Sequence, residues 1–258
     1  MRRENIIRYG CAAVMIVGMV WLSEILGEKE IIFPEIAALV IGAWLAKEQP
    51  WEVSRGKMLV LMTVAAFFGI AMARFEGIPL LIKVYIAFMF TAISLTVTKC
   101  TMLPMISACI LPILMGTTTV IYPVAVLVMT AIILAVQWIF EKLKIYKKRV
   151  HIPCVVNHRE QARHWGMIFL PFALISALAL SFNCVFLIAP PLIVTYTEFA
   201  EEESKARNKP FQIYFILITS ALIGMLGRKL LQIQLNWSAT ATVCVILIAL
   251  FVLFWYTK

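Results

Sequence analysis

Apolar residues in this chain gather into runs separated by short charged or turn-forming stretches, and the runs fall at 9–26, 31–46, 58–73, 79–98, 101–115, 119–140, 166–182, 185–197, 211–227 and 236–256. Most are apolar on every face, with neither the alternation of a half-buried strand nor the one-sided stripe of a surface helix. They predict an all-α polytopic bundle of about ten transmembrane spans. A helix needs about 20 residues to cross the hydrocarbon core upright, so 31–46, 101–115 and 185–197 are short. These three share another property: Pro34 lies in the first, Pro104 and Pro112 in the second, and Pro190 and Pro191 in the third. Proline removes a backbone donor, and a carbonyl freed in this way within a membrane needs a partner in protein or in a water-filled cavity. Such segments are expected to face inward.

Composition agrees with this reading. Of 258 residues, 62% are hydrophobic and 14% charged, where a soluble domain carries about 25% charged residues. Cys11, Cys100, Cys109, Cys154, Cys184 and Cys244 are scattered, with no C-x-x-C, and read as packing residues. The first run ends at Ser23-Glu24-Ile25 without a small-x-small cleavage site, so it reads as an uncleaved span.

The net charge of +9 matters through its distribution. If every run crosses and the N-terminus is inside, 18 of the 23 Lys and Arg fall on the cytoplasmic side and 5 on the other. This asymmetry obeys the positive-inside rule and places both termini in the cytoplasm of a bacterial-type plasma (inner) membrane. Treating 101–115 as re-entrant would expose seven cations between Lys142 and Arg163 outside, whereas the same test on 185–197 moves fewer charges and is less decisive. The loop 144–165 is read as a basic segment against anionic lipid headgroups, between a membrane repeat at 1–143 and a truncated one at 166–258. Its His151, Cys154, His158 and His164 lack the spacing of a metal site, and no metal or other cofactor is expected. The acidic run Glu198, Glu201, Glu202 and Glu203 reads as a solvated face.

A parallel internal repeat is implied by two segments with a common order of features. Segment 33–74 runs Phe33-Pro34-Glu35, a short apolar stretch, a charged loop, Pro50-Trp51, then a helix with Thr63, Ala66, Gly69 and Arg74. Segment 189–228 runs Pro190-Pro191, an apolar stretch with Thr195 and Thr197, a charged loop, Pro210-Phe211, then Thr219, Ala221, Gly224 and Arg228. The two short segments are expected to pack on each other, helped by Ala37, Ala38, Gly42 and Ala43.

Residues 9–143 resemble the HPP family of integral membrane proteins. The likeness rests on the proline-started helix Phe33 to Leu45, the loop ending Gln49-Pro50-Trp51, Ala65, Ala66 and Gly69 in the third run, and Leu103-Pro104 through Ala108 to Leu111-Pro112, followed by Tyr122-Pro123. Where the family has His-Pro-Pro this chain has Met102-Leu103-Pro104, so the role of that histidine does not carry over. Plastid and cyanobacterial relatives are associated with nitrite transport, and the resemblance therefore implies passage of a small solute.

Polar groups within apolar runs are costly and are the first candidates for function. Glu35 and Lys83 both lie toward the outer side in the ten-span topology and are expected to pair, around a solute or as a structural ion pair. Arg74 and Arg228 end Ala- and Gly-containing helices, where a guanidinium attracts an anion or, more simply, complements the helix dipole and lipid phosphate. Ser94, Thr96, Thr98 and Ser107 either satisfy backbone opened by Pro104 or line a pathway, and Thr195 and Thr197 have the same two readings. No Walker motif, G-x-S-x-G or H-E-x-x-H is present, which removes support for nucleotide-driven transport and common hydrolase chemistry. The expectation is a channel or secondary transporter for a small solute, an anion being one option, with no nucleic-acid partner. A membrane-embedded partner subunit, a homo-oligomer or, less favoured, a membrane enzyme fits the same topology.

Overall fold

The computed structural model describes residues 3–46, 50–145, 158–200, 210–236 and 238–256, and they contain helices and no strand. Each apolar run holds one α-helix. In order they are α1 (Arg3–Leu26), α2 (Glu35–Val40), α3 (Arg55–Arg74), α4 (Leu80–Thr98), α5 (Pro104–Met115), α6 (Ile121–Lys142), α7 (His158–Ser181), α8 (Pro190–Ala200), α9 (Pro210–Gly227) and α10 (Ala239–Tyr256). α2 continues through a π-helical turn, Ile41–Leu45, and α9 through another, Arg228–Gln234. Among the described residues, α1, α3, α4, α6, α7 and α9 with its π-turn are long and apolar enough to cross a membrane.

The short runs form short helices because their ends are set by proline and by left-handed backbone. Pro104 opens α5, where its missing N–H has no intrahelical role, and Gly116 closes it at φ 66°. The 12 residues of α5 rise about 18 Å, well under a hydrocarbon core.

The chain divides into two compact units, one of residues 33–200 and the other of 1–32 with 201–258. In the larger unit α3 is the reference. At its first turn Arg55 pairs with Glu141 at the end of α6, and Lys57 Nζ donates to the Thr98 carbonyl at the end of α4. At its last turn Arg74 Nε donates to the Thr118 carbonyl, 2.8 Å away, and Lys83 Nζ at the start of α4 donates to the Ala73 carbonyl. α4 and α6 therefore run antiparallel to α3. The segment holding α5 starts level with the beginning of α3, where the Glu52 N–H donates to Thr101 Oγ1, and finishes level with its end at Thr118. Residues 101–118 thus traverse the whole length of α3, about 30 Å, through a short helix extended by its flanks.

α5 is the centre of this unit and packs against α2, α3, α4 and α8. Every residue from Pro104 to Ile113 is buried. The close approach of α3 requires Gly69: a Cβ there would come within 2.7 Å of the Pro112 ring and nearer still to the Cys109 carbonyl oxygen. α7 packs along α4 through an aromatic cluster in which Phe88 stacks on Phe172 at 4.5 Å. The expected contact between 31–46 and 185–197 is not formed: α2 and α8 share no substantial interface and each packs on α5 instead. The small residues of the first segment serve another purpose, since Gly42 lies beneath the Trp51 ring and Pro50.

In the smaller unit α1, α9 and α10 pack together. The Glu24 carboxylate on α1 accepts hydrogen bonds from the Ala239 and Thr240 backbone N–H groups and the Thr240 hydroxyl, capping the first turn of α10 from a neighbouring helix. The segment bearing Glu201, Glu202 and Glu203, and the basic loop with His151 and Cys154, lie outside the described residues.

Candidate functional site

Within the larger unit, backbone opened by proline meets buried polar side chains. Pro112 lies inside α5 and cannot donate to the Ala108 carbonyl four residues earlier. The hydroxyl of Tyr122, from the first turn of α6, donates to that carbonyl at 2.9 Å and replaces the missing N–H. Tyr122 thus provides what a dry interior cannot obtain from water. Pro171 likewise cannot donate to the Met167 carbonyl of α7; nearby, the Tyr196 hydroxyl donates to the Ile168 carbonyl at 2.9 Å and the Tyr85 hydroxyl to the Ala173 carbonyl at 2.6 Å, tying α8 and α4 to α7 through carbonyls other than the opened one.

Glu35 stands beside Tyr122. It is the first residue of α2, directly after Pro34, and is 4% exposed. Phe33 meets the edge of the Tyr122 ring at 5.9 Å, and Tyr122 is within electrostatic range of both Glu35 and Cys109. Neither carboxylate oxygen of Glu35 makes a hydrogen bond. The expected pairing with Lys83 is absent, and the Lys83 ammonium donates to the Ala73 carbonyl instead. Glu35, Lys83 and Arg74 nevertheless share one end of the unit, the end where α3 finishes and α4 and α6 begin.

Ser107, in the first turn of α5, directly precedes Ala108, whose carbonyl Tyr122 meets; it is fully buried and its hydroxyl has no hydrogen-bond partner. Thr195 donates to the Pro191 carbonyl and Thr197 to those of Ile193 and Val194, so both hydroxyl protons are held within α8. Ser94, Thr96 and Thr98 likewise donate to carbonyls of α4 four residues earlier, and serve no backbone opened by Pro104. In a helix with no water beside it this local bond is the nearest acceptor available. Arg228 lies exposed in the smaller unit, at the start of the π-turn after α9.

Buried polar residues of this unit that the sequence did not single out include Thr91 on α4, Ser176 on α7, and Thr130 and Gln137 on α6, and the last two share one helix face. Thr130 and Gln137 are buried, and the Thr130 hydroxyl has no hydrogen-bond partner. Tyr122, Val126, Thr130, Ile133 and Gln137 recur at three- and four-residue spacing, the signature of one helix face, and that face is turned into the unit. The polar residues in this recurrence were the available signal. Comparison with protein-family models, curated proteins and solved structures finds no match.

Proposed function

We propose that this chain is a multi-pass protein of a bacterial-type inner membrane, with ten crossings and both termini cytoplasmic, and that it acts as a secondary transporter or channel for a small solute. The observation that carries the reading is α5, a short, proline-broken helix buried between longer apolar helices, with its freed carbonyl met by Tyr122. Interrupted helices at the centre of a bundle are the usual way a membrane protein places backbone and polar side chains at mid-depth without exposing them to lipid. Glu35 and Ser107 supply buried polar atoms without hydrogen-bond partners on either side of Tyr122 and its Ala108 carbonyl. Arg74 and Lys83 give one mouth a positive field that favours an anion. The resemblance to the HPP family and the 18 to 5 distribution of cations support the same reading, as does the order of features shared by 33–74 and 189–228.

The test is flux in proteoliposomes across a panel of small anions and metabolites, with and without a pH gradient. Saturable uptake of at least one solute supports the proposal. Absence of flux from well-folded protein, together with a partner that copurifies in fixed stoichiometry, would favour the reading as a membrane-embedded subunit.

A further inference from the structure

We propose that Glu35 is a proton-binding carboxyl, neutral in this conformation, which releases its proton when the end of the larger unit bearing Lys83 and Arg74 admits water. The proposal deepens the transport reading by naming the coupling ion, and rests on that reading only for its physiological purpose.

The argument begins from what surrounds the carboxyl. α2 packs on α5 and α6. The titratable group these helices bring beside it is Tyr122 of α6, which in turn neighbours Cys109 of α5, and neither offers a positive charge. Among the described residues no charged side chain pairs with Glu35, and neither of its carboxyl oxygens has a hydrogen-bond partner. Holding a carboxylate dry, unpaired and without hydrogen bonds costs many kcal/mol, far more than holding a neutral carboxylic acid there. A polar group of this kind is not required by the packing, since leucine or methionine would fill the same volume at lower cost.

A metal cation fits the surroundings poorly. Hard cations take six or more oxygen ligands, whereas Glu35 is flanked along the chain by Phe33, Pro34 and Ile36 and neighbours Tyr122, whose hydroxyl proton already belongs to the Ala108 carbonyl. A proton needs one oxygen only. Release is also provided for: Glu35 lies at an end of the unit where Lys83, half-buried, and Arg74, exposed, are held by single backbone carbonyls. The carboxylic O–H passes its proton to water on that side, and the remaining carboxylate finds counter-charge in these two cations.

Infrared difference spectroscopy of the reconstituted protein tests protonation without reference to flux. Wild type is expected to show the C=O stretch of a neutral carboxylic acid at neutral pH, lost on alkaline titration and missing from Glu35→Gln. Site-resolved labelling by dicyclohexylcarbodiimide, which attacks protonated carboxyls in apolar surroundings, should modify Glu35 and decline about tenfold per pH unit above the midpoint. Sodium should not protect it. Absence of the infrared band, or protection by sodium at constant pH, overturns the proposal. Glu35→Gln should retain the fold, and with a known solute it should abolish the dependence of uptake on the pH gradient. A clear band with no flux of any solute would sink the transport reading and leave the protonation intact; robust flux with no band would do the reverse.

Discussion

α5 and α9 are about equally apolar, yet their surroundings are opposite. Every residue of α5 from Pro104 to Ile113 is buried, whereas α9 has no buried residue along its 18 positions and exposes Phe211, Tyr214 and Phe215. Hydropathy therefore measures compatibility with an apolar medium and is silent on whether that medium is protein or lipid. The difference lies in side-chain size and in backbone demand. α5 carries Ser107, Ala108 and Cys109 on its way to Pro112, and its neighbour contributes Gly69, so the backbones approach closely and the gain comes from packing, as it must where lipid is as apolar as the protein. α9 presents bulky side chains that fill space outward and asks nothing of a neighbour.

The sharpest way to break this comparison is a matched pair of glycine substitutions. Gly69→Ala sets a methyl group against the backbone of α5, which cannot step aside, and is expected to cost about 3 kcal/mol, with Gly69→Leu failing to yield folded protein. Gly224→Ala in α9 meets open space and should change stability by less than about 0.5 kcal/mol. Thermal unfolding of the detergent-solubilised protein, followed by size exclusion, reads both. Equal effects would show that α5 and α9 are packed alike.

A smaller effect is expected at the proline cap. Tyr122→Phe removes the hydroxyl that donates to the Ala108 carbonyl and leaves that acceptor buried and unmet, at a cost of about 1–2 kcal/mol. Pro112→Ala returns a backbone N–H to the same carbonyl. In that background Tyr122→Phe should be milder by about 1 kcal/mol, and a double-mutant cycle without coupling would refute the substitution of one donor by the other.

Within the smaller unit Gly227→Ala sharpens the picture further. A Cβ there comes within 2.7 Å of Ile246, but the contact is with the far end of a flexible side chain, so the cost should stay under about 1 kcal/mol. Smallest of all is Phe215→Ala on the outer face of α9, expected within about 0.5 kcal/mol in the same assay.

Much of the helical layout is legible in the sequence because local physics controls it. Long apolar runs give the helices, the prolines at 34, 104, 112 and 190 keep three of them short, and Gly116 ends α5 where only a left-handed residue closes the turn. Glu35 stands out for the same kind of reason: a carboxyl beside an apolar helix is costly wherever it lies. Its partner was not legible. Lys83 has the right charge and lies at the same end of the unit, yet its ammonium donates to the Ala73 carbonyl and the Glu35 oxygens stay without a partner, an outcome set by the packing of the helices.

What only the tertiary structure decided is which apolar helix meets protein and which polar group meets which backbone. That α2 and α8 both settle on α5, that Tyr122 serves Ala108 fourteen residues away, and that Thr130 faces inward unmet all depend on contacts between segments remote in sequence. An apolar solvent offers no hydrophobic gradient to sort these helices, so their arrangement follows from steric fit and from the requirement that buried backbone groups be satisfied, and both are properties of pairs of helices.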